Sequence, residues 1–297
     1  MSHETIVGVD IGGSHITSAL VALQTSSIVP GTRARALVNA AGTVQEVLDS
    51  WCSVIKETLG TLPLASTKLG VSMPGPFEYE EGICLFQNQS KYDCLYGLNV
   101  KSLLAEQLGM DRQHIKLQND AGCFLRGEVA GGAARAVSSA MGFTLGTGLG
   151  SAMLADGVAA DADLWRAPFK DSIAEEYLST RAFVQAYQRL SGKTVPDVKA
   201  LAARCPHDAD ARQVFQGFAE DLALFLEPYL RQHTPEAVII GGNIANAWEL
   251  FMPITKRALA ARGLTVPIYH ATLAEDAALI GAASSWRAAP AALKPRL

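Results

Sequence analysis

Two glycine-rich turns of the same design contain the residues best suited to chemistry. Asp10–Ser14 and Gly146–Gly150 each lie between two apolar runs that favour β-strands. Glycine lets a turn adopt positive φ and lets backbone N–H groups approach a ligand, and a concave row of such donors favours an anion such as phosphate. The pair therefore predicts two phosphate-binding hairpins, although an ordinary turn is the alternative for either one taken alone.

The two turns differ from the best-known phosphate motifs. Each is followed by a strand, whereas the dinucleotide fingerprint needs a helix after its glycines and the P-loop needs Gly-Lys-Ser/Thr. Their repetition within one chain is instead the pattern of an internal duplication.

Two aspartates lie where predicted strands end. Asp120 follows Asn119 at the end of the strand 115–118, and in open α/β sheets ligands gather at the carboxyl ends of strands. Asp10 ends a buried strand, where an unpaired carboxylate is costly, so we expect it to face a cleft and a cation. A helix cap is the alternative role for Asp120, and an Asx turn is the alternative for Asp10.

The elements that must position these residues alternate between helices and strands. Helical patterns cover residues 43–59, 100–108, 121–129, 183–190, 211–230 and 275–286, and further strand patterns cover 68–72 and 237–240. This order predicts a mixed α/β fold. Because no Pro/Ser/Gly-rich linker interrupts the chain, we place the domain boundary at a short hinge near Asn119. The expected domains are 1–118, joined by the C-terminal helix 275–297, and 119–274.

Composition excludes several classes of protein. The 297 residues have a formal net charge of −4 and no blocks of basic residues, so we expect no nucleic-acid partner. No apolar run is long enough to span a bilayer and no signal-type leader is present, so we expect no membrane partner and a cytoplasmic location. The five cysteines lack any Cys-x-x-Cys pair, which predicts reduced thiols in or near the core.

Seven motifs in order make the chain resemble the ROK family of sugar kinases, within the actin/hexokinase/Hsp70 ATPase superfamily. They are Asp10-x-Gly12-Gly13-Ser14, Pro74-Gly75-Pro76, Asn88, Asn119-Asp120-Ala121, Gly146-Thr147-Gly148-Leu149-Gly150, Gly241-Gly242-Asn243 and Gly281-Ala282-Ala283. The resemblance implies two ribonuclease-H-like (actin-like ATPase) α/β domains flanking a cleft that holds ATP and a sugar, and it suggests a homodimer. No winged-helix region precedes Asp10, so we expect the kinase branch of the family and not its DNA-binding repressors.

The resemblance also implies roles for these motifs. A sugar hydroxyl is a poor nucleophile at neutral pH, and Asp120 would be the general base that accepts its proton. Asp10 would hold Mg²⁺, often through water. The implied ATP and phosphate contacts are Asp10, Gly12, Gly13, Ser14, Gly146, Thr147, Gly148, Gly241, Gly242 and Asn243. For the last three residues, an ordinary strand-to-helix turn is the alternative.

The segment 161–177 departs from the family pattern. It lacks the family's His and all three zinc-knuckle cysteines, so we expect no zinc. Glu175 aligns with a family glutamate that binds sugar, although Ser172–Glu175 also reads as a capping box. Asp163 and Arg166 take the places of the family Glu and His. Trp165 either stacks on the sugar or lies in the core, and the core is the preferred interpretation for a tryptophan. The expected sugar contacts are Gly75, Asn88, Asn119, Asp120, Asp163, Arg166 and Glu175.

Two functions follow from these residues. The first is ATP-dependent phosphorylation of a hexose hydroxyl, of the glucokinase type at the 6-position, with Mg²⁺. The alternative is a catalytically weak sugar- or nucleotide-sensing protein, which the missing zinc and His residues motivate. The choice among hexoses and hexosamines is left open, because it depends on the shape of the pocket.

Overall fold

Two β-sheets of the same plan organise the described part of the chain, which is residues 4–63, 66–88, 91–135 and 137–287 of a computed structural model. The strands are β1 (Thr5–Ile11), β2 (His15–Ala22), β3 (Ser27–Ile28), β4 (Ala34–Leu37), β5 (Leu69–Met73), β6 (Phe77–Glu78), β7 (Ile83–Cys84), β8 (Ile115–Asn119), β9 (Ala140–Leu145), β10 (Leu149–Ala155), β11 (Val158–Asp161), β12 (Pro168–Phe169), β13 (Ser172–Ile173), β14 (Ala237–Gly241) and β15 (Ile268–His270). The helices are α1 (Val44–Leu59), α2 (Val100–Leu108), α3 (Asp120–Gly131), α4 (Ala174–Leu178), α5 (Thr180–Ser191), α6 (Val198–Ala202), α7 (Ala209–His233), α8 (Trp248–Ala261) and α9 (Asp276–Ser284).

The first compact unit comprises the described residues of Met1–Ala136, Asp156–Ala160 and Glu275–Leu297. Its sheet has the order β3-β2-β1-β5-β8, with β4 also on β2. The β1–β2 pair is antiparallel, whereas β1, β5 and β8 run parallel. Helix α9 packs so closely on the sheet that a Cβ on Gly8 or Gly70 would lie within 2.4 Å of an α9 backbone oxygen. The absence of a side chain at Gly8 and Gly70 therefore leaves the space that α9 occupies.

The second unit comprises Val137–Ala155 and Asp161–Ala274. Its sheet repeats the plan: the β9–β10 hairpin is antiparallel, and β14 and β15 continue from β9 in parallel. The 25-residue helix α7 begins at an Asp208 cap, which accepts hydrogen bonds from the first-turn N–H groups. A cluster of buried aromatic side chains fills the core between α7 and its neighbours: Phe143, Phe183, Phe215, Phe218, Phe225 and Phe251.

Local signals located many of these elements. Helix α2 has the predicted bounds, and Gly109 ends it in the left-handed conformation. Helix α1 starts after Thr43, which forms a capping box with Glu46. The expected α/β fold and free thiols are confirmed: all five cysteines are unpaired and four of them are buried. Among the described residues, no helix is long and apolar enough to cross a membrane.

The domain division differs from the one that the sequence suggested. The described part of the first unit continues to residue 135 instead of ending at 118, because α3 packs against α9 and so belongs with the β1 sheet. The close approach is visible at Gly281, where a Cβ would lie 1.7 Å from the backbone oxygen of Cys123. Of the predicted C-terminal helix, α9 covers 276–284, and residues 288–297 lie outside the described residues.

Candidate active site

The two glycine-rich loops connect equivalent strands in their respective sheets. In the first hairpin β1 ends at Ile11 and β2 begins at His15, which leaves 12–14 as the loop; in the second β9 ends at Leu145 and β10 begins at Leu149, which leaves 146–148. None of the four glycines in these two loops has a positive φ, so the turns do not use that freedom of glycine. In the second loop, a Cβ on Gly148 would lie 2.6 Å from Oε2 of Glu175, so that side chain would have to shift.

Asp10 is the second-last residue of β1, just before the first loop, and a hydrogen bond connects it to the neighbouring strand β5. Its register partner on β5 is Ser72, whose Oγ donates a hydrogen bond to Asp10 Oδ1 at 2.8 Å. Burial raises the pKa of Asp10 from 3.8 to about 6, the Ser72 hydrogen bond opposes this rise, and the negative charges of Asp120 and Glu275 add to it. A partly buried carboxylate beside other carboxylates is a fitting ligand for a cation, and its oxygens are the ligands that Mg²⁺ prefers.

Asp120 lies at the same edge of the sheet. Strands β5 and β8 end in register, with Met73 opposite Asn119, so the carboxyl ends of β1, β5 and β8 come together. Asn119 is the N-cap of α3, accepting from Gly122 N at 3.1 Å, and Asp120 is the first residue of the helix. The helix-capping role that was the alternative for Asp120 thus belongs to Asn119. The Asp120 carboxylate instead accepts a hydrogen bond from Ala121 N at 2.8 Å. Asp120 is close enough to Asp10 for its negative charge to raise the pKa of Asp10.

Tyr79 completes this edge and was not found from the sequence. Its hydroxyl donates to Met73 O at 3.0 Å and accepts from Asn119 Nδ2 at 3.3 Å. A Cβ on Gly75 would lie 3.3 Å from the same hydroxyl, so the Pro-Gly-Pro turn, whose Gly75–Pro76 bond is cis, runs directly beside it. A tyrosine in a polar loop carries no local signal of this role. Ser72 had one, as the only hydroxyl residue in the apolar strand β5.

The loop that contains Asn88 approaches the first glycine loop through its neighbours. Asn88 is exposed and left-handed, with φ 57°, and residues 89–90 lie outside the described residues. A few residues on, the buried Tyr92 donates its hydroxyl hydrogen to Gly12 O at 2.6 Å. The side chain of Lys91 lies 3.5 Å from the position of a Cβ on Gly13. These contacts fix the first loop from one side, and sequence reasoning missed them too.

In the second unit, Glu175 reaches the second glycine loop. Its Oε2 accepts a hydrogen bond from Leu149 N at 3.1 Å. The capping-box alternative is wrong: the N-cap of α4 is Ile173, which makes no side-chain cap, and Ser172 belongs to β13. On the other side of the loop, the backbone N–H and the hydroxyl of Thr180 both donate to Gly146 O, at 2.8 and 3.0 Å.

Asp163 and Arg166 contact each other. They form an ion pair at i, i+3 in a short 3₁₀ turn, and their side chains are 38% and 65% exposed. The turn is attached to β10 by a hydrogen bond of 2.9 Å from Leu164 N to Ser151 Oγ. Trp165 in the same turn is 41% exposed, so its assignment to the core is wrong.

A small hairpin precedes Glu175 within the segment 161–177. Strands β12 and β13 flank a turn at Lys170, whose ammonium pairs with Asp221 at 2.5 Å and lies 4.7 Å from the ring centre of Tyr177. Phe169 contacts Phe225 edge to face, at 5.8 Å between ring centres. Within the described ranges, no cluster of three His, Cys, Asp or Glu side chains could hold a metal ion. Side-chain contacts hold this segment.

The Gly241–Asn243 turn packs beside the second loop. Gly242 has φ 86°, and a Cβ there would lie 2.3 Å from Leu145 O, at the end of the strand that enters the loop. Glycine is therefore required both by the backbone conformation and by space. Gly242 and Asn243 are exposed, and Asn243 begins a 3₁₀ turn that leads into α8.

Comparisons with known proteins agree with this architecture. The ROK family model matches residues 6–161 and 170–289, and so leaves out the turn that contains Asp163 and Arg166. The chain is 26% identical to the glucokinase of Thermotoga maritima over 318 residues, covering 94% of this chain and 96% of that protein. It is 24% identical to the N-acetyl-D-glucosamine kinase of Photobacterium profundum, with 70% and 78% covered. The structure of a ROK family glucokinase from Streptomyces griseus, in complex with glucose and AMPPNP, superposes with a TM-score of 0.71 at 20% identity, over 95% of this chain and 99% of that one.

Proposed function

The chain belongs to the ROK family, and we propose that it is a kinase that transfers the γ-phosphoryl group of ATP to a hexose hydroxyl, at the 6-position as in a glucokinase. One observation carries the proposal most directly. Asp10 and Asp120 lie at a single sheet edge, where three parallel strands end beside a glycine-rich loop. Kinase activity on sugars is also what the names of the two curated relatives describe.

In this proposal Asp120 is the general base. A hexose hydroxyl gives up its proton as the phosphoryl group is transferred, and a positioned carboxylate that accepts this proton contributes about 10²–10⁴-fold to the rate. Asn119 fixes the start of α3, and through it the backbone of Asp120. Because Tyr79 contacts the Asn119 amide, it belongs to the same arrangement.

The phosphates are assigned to the two loops and the metal to Asp10. Backbone N–H groups of Gly13, Ser14, Thr147 and Gly148 provide donors for phosphate oxygens. The N–H groups of Gly12 and Gly146 donate within their hairpins, to His15 O and Gly148 O, so these two glycines border the phosphates without donating to them. Gly241–Asn243 borders the adenosine. Asp10 fits Mg²⁺ because burial and neighbouring carboxylates disfavour its ionised form until a cation is present. When bound, Mg²⁺ neutralises phosphate charge.

For the sugar we assign Glu175, Asn119, Gly75 and Asn88 as contacts, with Asp163 and Arg166 at the border of the site. The two curated relatives are named for glucose and for N-acetylglucosamine. The proposed substrates are therefore glucose and its 2-acetamido relative. The homodimer stays a prediction, which light scattering during size-exclusion chromatography tests through the molar mass.

The experiment is an ADP-release assay with Mg·ATP over a panel of hexoses and hexosamines. We expect turnover with at least one sugar, and a loss of about 10³-fold in kcat for Asp120→Asn, within the range for a general base. Glu57→Gln makes a comparable change on the exposed face of α1 and keeps full activity. Full phosphoryl transfer by a folded Asp120→Asn variant contradicts the base assignment. Calorimetric binding of a sugar without turnover on any sugar supports the sensing protein instead.

A further inference from the structure

Glu175 makes direct contact with the second glycine-rich loop. Its Oε2 accepts a hydrogen bond from Leu149 N, and the same oxygen would lie 2.6 Å from a Cβ placed on Gly148. The carboxylate thus packs directly against the loop backbone, beside Gly148. A carboxylate bound to a backbone N–H is chemically similar to a phosphate oxygen bound to the same group.

The other hydrogen bonds of this loop are internal to the fold. Gly146 N donates to Gly148 O at 3.0 Å, and Gly146 O accepts from Thr180. The Leu149 N–H is different, because its acceptor belongs to a side chain that can rotate away. Moving Glu175 therefore changes what the loop offers to a ligand without breaking the backbone bonds of the hairpin.

We propose that Glu175 couples the two substrates: its carboxylate occupies a donor of the phosphate loop in the sugar-free enzyme, and sugar binding draws it away and releases that donor to the nucleotide. The inference rests on the proposed function, because it takes 146–148 as a phosphate loop and Glu175 as a sugar ligand, and it adds the adjoining Leu149 N–H to the donors of that loop. It adds that one side chain serves both sites in turn.

The chemistry requires that the two anions exclude each other. A carboxylate and a phosphate oxygen repel each other strongly at hydrogen-bond distance, so they cannot share the Leu149 N–H. A hydroxyl of the sugar, in contrast, can donate to Glu175 and stabilise its charge away from the loop. The sugar therefore strengthens nucleotide binding, and the nucleotide strengthens sugar binding by the same factor.

The test is the affinity of the full chain for AMPPNP with Mg²⁺, measured by calorimetry with and without a saturating hexose that the turnover assay identifies. For the unaltered protein we expect about tenfold tighter AMPPNP binding with sugar, the size of one hydrogen bond to a charged group. For Glu175→Ala we expect sugar-free AMPPNP binding to become about tenfold tighter, because the Leu149 N–H becomes available and the negative charge beside it is removed. Glu175→Gln keeps the shape of the side chain, removes only its charge, and is expected to shift in the same direction.

Glu176→Gln is the matched control. It makes the same change one residue later in α4, where the carboxylate pairs with Arg181 at 2.5 Å, and it leaves sugar-free AMPPNP binding unchanged. If Glu175 only braced the loop, both Glu175 variants would bind AMPPNP more weakly, and this result overturns the inference. Turnover on a hexose with an AMPPNP affinity that is independent of sugar also overturns it while the proposed function stands. Absence of turnover on every sugar overturns the proposed function and the coupling with it.

Discussion

Asp10→Asn is expected to stabilise the protein in the absence of ligand, increasingly so as the pH rises. The pKa of Asp10 is raised from 3.8 to about 6, chiefly by burial. Between these two values, the folded protein keeps a proton that the unfolded chain has already released. The free energy of unfolding of the unaltered protein therefore falls as the pH rises through 6, and the asparagine variant lacks this loss.

The size of the effect follows from the two pKa values. A full shift from 3.8 to about 6 corresponds to about 3 kcal/mol. Between pH 5 and pH 8, the difference in unfolding free energy between Asp10→Asn and the unaltered protein should grow by about 1.5 kcal/mol. The Oδ1 of asparagine still accepts the Ser72 hydroxyl, so the hydrogen bond of 2.8 Å is not what changes.

The measurement is urea unfolding at several pH values in the presence of EDTA. Asp156→Asn, which makes the same substitution in an exposed turn, is the control and should show no such trend. Ser72→Ala removes the hydrogen bond that lowers the pKa of Asp10, so the pKa should rise further and the dependence on pH should move upward. An Asp10→Asn difference that stays constant from pH 5 to pH 8 refutes the reasoning. With Mg²⁺ and AMPPNP, we expect the unaltered protein to be stabilised and Asp10→Asn not.

Two further substitutions test the geometry around the loops. Tyr79→Phe removes the hydroxyl that contacts Met73 O and Asn119 Nδ2. Steady-state kinetics should therefore show a KM for sugar raised about fivefold, with little change in the KM for ATP. Equal effects on both KM values would contradict the placement of Tyr79 beside the sugar. Gly242→Ala adds a clash with Leu145 O to a left-handed backbone, so urea unfolding should show a loss of more than about 2 kcal/mol. Gly263→Ala, at φ 76° with open space around the Cβ, should cost only about 1 kcal/mol, and equal losses at the two glycines would show that the clash does not matter.

The features that could be predicted from sequence are those that local patterns encode. The glycine turns lie between β-prone runs, helix α2 has both its apolar stripe and its Gly109 cap, and Asp10 and Asp120 follow their strands directly. Helix α8, which contains Pro253, was not predicted from the sequence. Contacts across the sheet, such as that of Ser72 with Asp10, depend on strand register, which a single strand does not reveal.

The segment 161–177 was the least predictable for a related reason. Its elements are short, and distant residues hold them in place: Lys170 pairs with Asp221, and Phe169 packs on Phe225. Asp221 reads in the sequence as part of a solvated helix face, and nothing in the local pattern marks it as a partner. The same holds for Glu175, whose partner Leu149 is 26 residues away.

The duplicated hairpins therefore place a carboxylate at each loop by different means. In the first hairpin the acid is Asp10, two residues before the loop, and a Ser72 hydroxyl holds it. The equivalent position in the second hairpin, two residues before Gly146, is Thr144, which has no charge. There the carboxylate comes from α4, on a side chain that can leave the loop. An acid fixed within its own strand suits a metal that must stay with the phosphates. An acid on a separate helix can instead move when a second ligand binds. The Glu175 variants measure this difference between two otherwise matching hairpins.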